Sequence, residues 1–285
     1  MPAPSLTTKQ VARLLNVSEA TVKRWADDGV IQSEKTAGGH RRFSIQAIAR
    51  LRRENASSPT RPMPVRKRSG HALPSPQSLR ELLIKGDESG AAAALLDAYL
   101  NHQTLVSLFD NTIHGAMREI GDQWFNGQIS IADEHLATRV ALNSLQRLRD
   151  VIAPAEANGL KAICCAIEGD LHELPVHLAE MLLESEGWDA LNLGPNTPLF
   201  ALREMVTHER PRLISVSCRI LLDLDRATLE FGLLRKVADK VGASILLGGE
   251  GFRDPSLRAR FPSDTYASDF ADLVNFAHAL AKRKD

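Results

Sequence analysis

The sequence predicts a multidomain chain: a small helix-turn-helix head with a β-hairpin, a four-helix bundle, and an α/β domain on an open, mostly parallel sheet. Three observations predict it. Before residue 54, two short helical stretches precede a Gly-Gly turn between strand-like segments. Over 76–152 apolar residues recur at helical spacing and no strand pattern interrupts them. From residue 160 onward, short apolar runs alternate with helical stretches, the mark of parallel strands joined by crossover helices. A chain of 285 residues accommodates this. The boundaries fall at 1–55, 56–75, 76–155 and 156–285.

The head begins with "LTTKQVARLL", in which Val11, Leu14 and Leu15 are apolar and Thr7 or Thr8 caps the helix. Asn16-Val17 makes a turn, Ser18 caps the second helix, and that helix ends near Gly29. "VIQSEKTAGGHRRFS" reads as strand, turn at Gly38-Gly39, strand, and "SIQAIARLRR" begins another helix. Residues 56–75 are rich in Pro, Ser and Arg with little to bury, which makes them a linker.

In the bundle, "LRELLIKG", "AAAALLDAYL", "LVSLFDNTIHGAMREIGDQWF" and "ADEHLATRVALNSLQRLRDVI" carry the apolar positions. In the α/β part, "KAICCAI", "DALNL", "RLISVSC", "ASILLGG" and "TYASD" are the strand-like runs. Ligands of such sheets bind beyond the carboxyl ends of the strands. There the chain offers Gly169–His172, Ser217–Arg219 and the "GGEG" of 248–251.

Net charge is zero but unevenly placed: residues 1–70 hold 14 Lys/Arg against 5 Asp/Glu. A basic head on an acidic body points to a polyanion for the head. A recognition helix would insert exposed residues into the major groove while a basic hairpin grips the adjacent backbone. Glu19, Thr21, Lys23 and Arg24 are the expected exposed residues of the second helix; His40, Arg41 and Arg42 follow the hairpin turn; Trp25 is expected to pack as core.

The three cysteines, Cys164, Cys165 and Cys218, are odd in number, two of them adjacent, which suits a reducing cytoplasm. No apolar run approaches the ~20 residues that span a bilayer and no leader opens the chain, so no membrane partner is expected.

Among the histidines, His102, His114, His177, His208 and His278 read as structural. His172 differs, because it follows the first strand of the sheet directly. Asp170, two residues earlier, could hold its Nδ1 and turn Nε2 outward, as for a metal-ligating histidine. The spacing leaves that role and an ordinary structural one both open. The Glu134-His135 pair on a bundle helix is by itself uninformative.

The stretch "LTTKQVARLLNVSEATVKRWADDGVI…TAGGHRRFS" closely resembles the winged helix-turn-helix of the MerR family. The resemblance implies binding to double-stranded operator DNA as a dimer or higher oligomer, with Arg41 and Arg42 on the wing. An excisionase-like module, which also binds DNA, is the related alternative.

"GDQWFNGQISIADEHLA" followed by "EGDLHELP…SVS…LGGEG" resembles the cobalamin-binding unit of methionine synthase and corrinoid proteins, a helical cap before a Rossmann-like domain. The cap signature falls on Gly121, Trp124, Gly127, Glu134 and His135. The Asp-x-His motif falls on Asp170 and His172, the serine on Ser217, and the Gly-Gly on Gly248 and Gly249. The resemblance implies that His172 ligates cobalt. It places the nucleotide tail beside Ser217 and the glycines, where small residues leave room. Trp124, Glu134 and His135 would close over the upper face.

A MerR head on a cobalamin body resembles the CarH/LitR photoreceptor repressors. That implies adenosylcobalamin as cofactor, a dark-assembled oligomer on DNA, and disassembly when light breaks the cobalt–carbon bond. The chain departs from the pattern at three places: Pro175 replaces the motif's glycine, Arg219 stands two after the serine, and Phe125 follows the cap tryptophan. Pro175 and Arg219 motivate a second reading, a cobalamin-independent body answering to haem, a bilin or a protein antirepressor, with Cys164 and Cys165 available in principle to such a group. A corrinoid methyltransferase component is the third, and the head speaks against an enzyme.

Overall fold

The computed structural model describes residues 5–14, 18–36, 38–44, 47–48, 74–101, 103–152 and 155–282. The expected turn at Asn16-Val17, most of the helix expected from Ser44 and nearly all of the linker lie outside the described residues. The chain divides into two compact units, Met1–Thr104 with Gly115–Ile152, and Leu105–His114 with Ala153–Asp285.

In the first unit, the head opens with β1 (Ser5–Thr7) and α1 (Thr8–Leu14), then α2 (Glu19–Asp27), β2 (Ser33–Lys35) and β3 (Arg41–Ser44). The first strand was not legible, being three residues long. It pairs antiparallel with β3, as β2 does on the other side, giving the order β1-β3-β2. Thr7 ends it and caps α1: its Oγ1 accepts from the Gln10 amide at 3.2 Å, and Gln10 Oε1 accepts from the Thr7 amide at 2.8 Å. Val11, Val22, Ile31, Phe43 and Ile48 form the small core.

The helical part contains α3 (Pro76–Ile84), α4 (Glu88–Leu100), α6 (His114–Phe125) and α7 (Ile131–Arg149). Alanines 91, 92 and 98 let α4 lie close to α7, whose Ala137 and Ala141 are buried. An ion pair from Glu88 to Arg147 fastens the same two helices. The helical periodicity alone assigns 105–114 to this bundle. In the structure α5 (Leu105–Ser107) and the π-helical turn after it (Leu108–Ile113) cluster with the second unit. The reason is tertiary: Phe109 packs edge-on against Phe270 at 6.2 Å, and Asp110 accepts hydrogen bonds from the amides of Phe270 and Ala271.

The second unit is a doubly wound α/β sheet. In chain order it comprises β4 (Lys161–Ala166), α8 (Leu174–Ser185), β5 (Asp189–Asn192), α9 (Leu199–Glu209), β6 (Leu213–Ser217), α10 (Leu224–Val241) and β7 (Ser244–Gly248). A 3-10 turn (Glu250–Arg253), α11 (Pro255–Arg260), β8 (Thr265–Ala267) and α12 (Phe270–Lys282) complete it. All strand pairs are parallel and the order is β5-β4-β6-β7-β8. The order reverses between β4 and β6, so their carboxyl ends flank the crevice where sheets of this kind take ligands.

Both faces of β4 are covered. Ile163 and Cys165 join a core with Leu202, Phe231 and Phe252, while Ala162, Cys164 and Ala166 join the opposite one with Leu183 and Trp188. Successive side chains of a strand alternate between faces, so Cys164 and Cys165 lie in different layers and cannot jointly hold one group. Burial pushes the Cys165 thiol up to about 12 and that of Cys164 higher still.

Candidate functional site: a histidine at the sheet switch point and a basic wing

Residues 167–173 leave β4 as a loop and enter α8, whose first turn contains Pro175. Proline is compatible with that turn, where no intrahelical N–H is needed. Asn196, in the loop after β5, secures this loop: its Oδ1 accepts from the Gly169 amide at 2.8 Å, and its own amide donates to the Asp170 carbonyl at 2.8 Å. Asn196 has φ 54°, a left-handed conformation that asparagine tolerates better than most residues. Its position in "GPNTP", between two prolines, is a turn signal in the sequence.

Asp170 is the centre of the site. Its side chain is fully buried, yet both oxygens are satisfied. Oδ1 accepts from the His172 amide at 3.0 Å and lies 2.6 Å from His172 Nδ1; Oδ2 accepts from the Arg219 amide at 2.6 Å. Burial opposes ionisation, but the hydrogen bonds from His172 and Arg219 outweigh it and hold the carboxyl below its usual value. An ionised carboxylate only accepts, so Nδ1 carries the proton. With Nδ1 held by Asp170, Nε2 is the ring nitrogen left for a further partner, and the side chain is 39% exposed.

Ser217 closes β6 beside Gly248, whose strand partner it is. A side-chain carbon on Gly248 would meet Ala267 at ordinary contact, 3.6 Å, so the position would accept one without a clash. Gly249 is different. Its φ is +95°, and an added carbon would lie 2.4 Å from the Cys218 carbonyl oxygen, so its glycine serves the backbone. Leu171, Ile220 and Leu222 are exposed in the loops at this end of the sheet, at 74%, 46% and 76%.

One imidazole oriented by Asp170, at a sheet end that also exposes Leu171, Ile220 and Leu222, fits a largely apolar metal macrocycle that would take a single nitrogen from the protein. Among the described residues no group of three His, Cys, Asp or Glu could hold a bare metal ion.

In the helical part, Trp124 lies in the last turn of α6 and is 45% exposed, and Phe125, which ends the helix, is 84% exposed. Gly127, at φ 70°, turns the chain toward α7. Ser130 and Asp133 form a capping box at the start of α7, a local pattern of a serine with an acid three residues on. Glu134 accepts from Thr138 Oγ1 at 3.1 Å and lies 3.7 Å from His135 Nε2; His135 is largely exposed.

In the head, Ser18 caps α2 by accepting from the Thr21 amide at 3.1 Å, and the two hydroxyls lie 2.9 Å apart, so Thr21 belongs partly to the cap. Glu19, Lys23 and Arg24 are exposed. Trp25 is half-buried, and its carbonyl accepts from Val30 and Ile31. Thr36 closes the hairpin across Gly39, and His40 is exposed at its tip. Arg41 points inward: its Nη1 donates to the Lys23 carbonyl at 2.7 Å and its Nη2 pairs with Asp27.

Comparison with known proteins bears on each part. Residues 5–56 match a family model described as a helix-turn-helix domain, and residues 77–149 match one described as a B12 binding domain. The HTH-type transcriptional repressor CarA of Myxococcus xanthus is 26% identical over 288 residues, covering 95% of each chain. Methionine synthase of Mycobacterium leprae is 22% identical over 62% of this chain, which spans 15% of that protein. The monomethylamine corrinoid protein of Methanosarcina barkeri superposes with a TM-score of 0.59 over 71% of this chain and 96% of its own, at 15% identity, a likeness of fold.

Proposed function

We propose that this chain, a helix-turn-helix regulator with a B12-binding body on the plan of the repressor CarA, is a transcriptional repressor that binds operator DNA through its head and is controlled by adenosylcobalamin and light. The observation that carries this reading is the Asp170–His172 arrangement, which leaves one oriented imidazole nitrogen at the sheet's switch point. His172 would hold the cobalt through Nε2 in this reading. Ser217 and Gly248 line the way for the nucleotide tail, and Gly249 keeps the neighbouring backbone in shape for it. Trp124, Glu134 and His135 are the helical part's candidates for contact with the adenosyl group. When bound, adenosylcobalamin supplies a photolabile cobalt–carbon bond.

The head reads DNA with Glu19, Lys23 and Arg24 of α2 and with His40 and Arg42 of the wing, Thr21 serving cap and surface together. Self-association follows from the same reading: two or more heads on one operator gain avidity that a single head lacks. No helix among the described residues is long and apolar enough to cross a membrane, and the reading is of an intracellular regulator without enzymatic activity.

The test is an absorption spectrum of the purified chain with adenosylcobalamin in the dark and after green light, with size-exclusion runs on both samples. Retained cofactor, a light-dependent spectrum and a fall in size are the expected results. A chain that retains no cobalamin refutes the reading, and haem, bilins and an antirepressor protein become the inputs to examine. Retained cofactor with no response to light leaves a cobalamin sensor and removes the photoreceptor.

A further inference from the structure

Strand β3 alternates its side chains between two faces. Phe43 is fully buried on the inner one, and Arg41, two residues earlier, shares that face. Arg42 and Ser44 lie on the other. The guanidinium of Arg41 therefore meets the last turn of the recognition helix α2, where it engages the Lys23 carbonyl and the Asp27 carboxylate together. Its side chain is 17% exposed.

Asp27 is otherwise a poor choice for its position. A carboxylate in the last turn of a helix faces the negative end of the helix dipole, and an acid on a recognition helix repels a polyphosphate. Arg41 offsets both effects and holds the Asp27 carboxyl below its usual range. A fork-shaped donor spanning a backbone carbonyl and a carboxylate also fixes geometry in a way that a point charge does not.

We propose that Asp27 and Arg41 form a lock that sets the wing against the recognition helix, making Arg41 a positioning residue while Arg42 and His40 hold the DNA backbone. The proposal rests on the DNA-binding reading of the head. It predicts an effect whose sign is opposite to simple electrostatics. Asp27→Asn removes a negative charge from a DNA-binding surface and frees an arginine, so a phosphate-contacting Arg41 would bind more tightly in that variant. A lock would bind less tightly.

The experiment measures affinity of the full chain, loaded with adenosylcobalamin in the dark, for sheared duplex DNA over a series of salt concentrations. Asp27→Asn and Arg41→Lys are each expected to weaken binding several-fold, and the double variant to be no weaker than the worse single one, because both break one unit. Arg42→Ala should flatten the slope of log affinity against log salt by about 0.9, the value of one phosphate contact. Far-UV circular dichroism confirms that the head is folded in each variant. Tighter or unchanged binding by Asp27→Asn overturns the lock, as does full affinity in Arg41→Lys. Should Asp27→Asn unfold the head, Arg41→Lys decides alone. No binding by the unsubstituted chain refutes the DNA-binding reading itself.

Discussion

Asp170 Oδ1 lies 2.6 Å from His172 Nδ1, and the other oxygen of the same carboxylate accepts the Arg219 amide at 2.6 Å. One buried acid thus ties the loop after the first strand of the sheet to the loop after the third. It sets the tautomer of the histidine and the path of the chain carrying Arg219 at the same time.

Replacing Asp170 by Asn keeps the size and removes the charge. The Nδ1 proton loses its ionised acceptor, and cobalamin affinity is expected to fall by about 10- to 100-fold, the range for partners that orient a metal ligand. Spectroscopic titration with cobalamin reads it. His172→Ala should abolish the nitrogen-ligated spectrum altogether; an unchanged spectrum in that variant removes His172 as the ligand.

The two adjacent glycines should separate. Gly249→Ala places a carbon 2.4 Å from a backbone oxygen at φ +95°, and a loss of about 1–3 kcal/mol of stability is expected. Gly248→Ala meets only an ordinary contact and should melt as the unsubstituted chain does, while binding cobalamin more weakly if the tail passes there. Thermal melts and titrations of both variants check this, and equal affinity in Gly248→Ala excludes that path.

His177 should titrate above the ordinary histidine value. Its hydrogen bond to Glu180 raises it most, burial opposes, and Glu173 adds to the rise. Asn192 Nδ2 faces the same cluster, 2.9 Å from Glu180 and 3.4 Å from the His177 ring. With the folded pKa raised, the stabilisation is fully present below about 6.5, the unfolded value, and fades as pH rises through the folded pKa. An NMR titration checks the direction, and Glu180→Gln should lower the value. A His177 that titrates at or below the unfolded value contradicts the ion-pair geometry.

Thiol reagents test the second reading of the body. Cys164 and Cys165 are buried on opposite faces of β4, with thiols that resist ionisation, and the thiolate is the reactive form. The native chain should resist alkylation at both and retain ligand binding throughout. Rapid labelling at neutral pH, or ligand loss that tracks it, would restore a role for these cysteines.

Much of this protein was legible without coordinates, because periodicity and capping are local. The helical spacing of 76–152, the alternation after 160, the Ser18 cap and the turn at Gly39 all follow from a few neighbouring residues. The Asp170–His172 relationship was legible too, since two residues of separation in one loop bring the groups within reach. Local pattern failed where distant segments compete for the same residues. Leu105–His114 has helical periodicity that suits the bundle, yet Phe109 and Asp110 find their partners at Phe270 and Ala271, 160 residues away in the case of Asp110.

Arg41 and Arg42 show the same division at the level of one residue. The sequence places both on a basic hairpin, and composition treats them alike. Strand alternation in the register with β2 and β1 sends Arg41 toward Asp27 and Arg42 to the opposite face. By itself, then, the sequence determined the element types, the basic head and the histidine at the end of a strand. Only the tertiary structure decided which arginine is consumed internally, which glycine would accept a side-chain carbon and which serves the backbone. Those outcomes depend on contacts between segments far apart in the chain, and no local pattern encodes them.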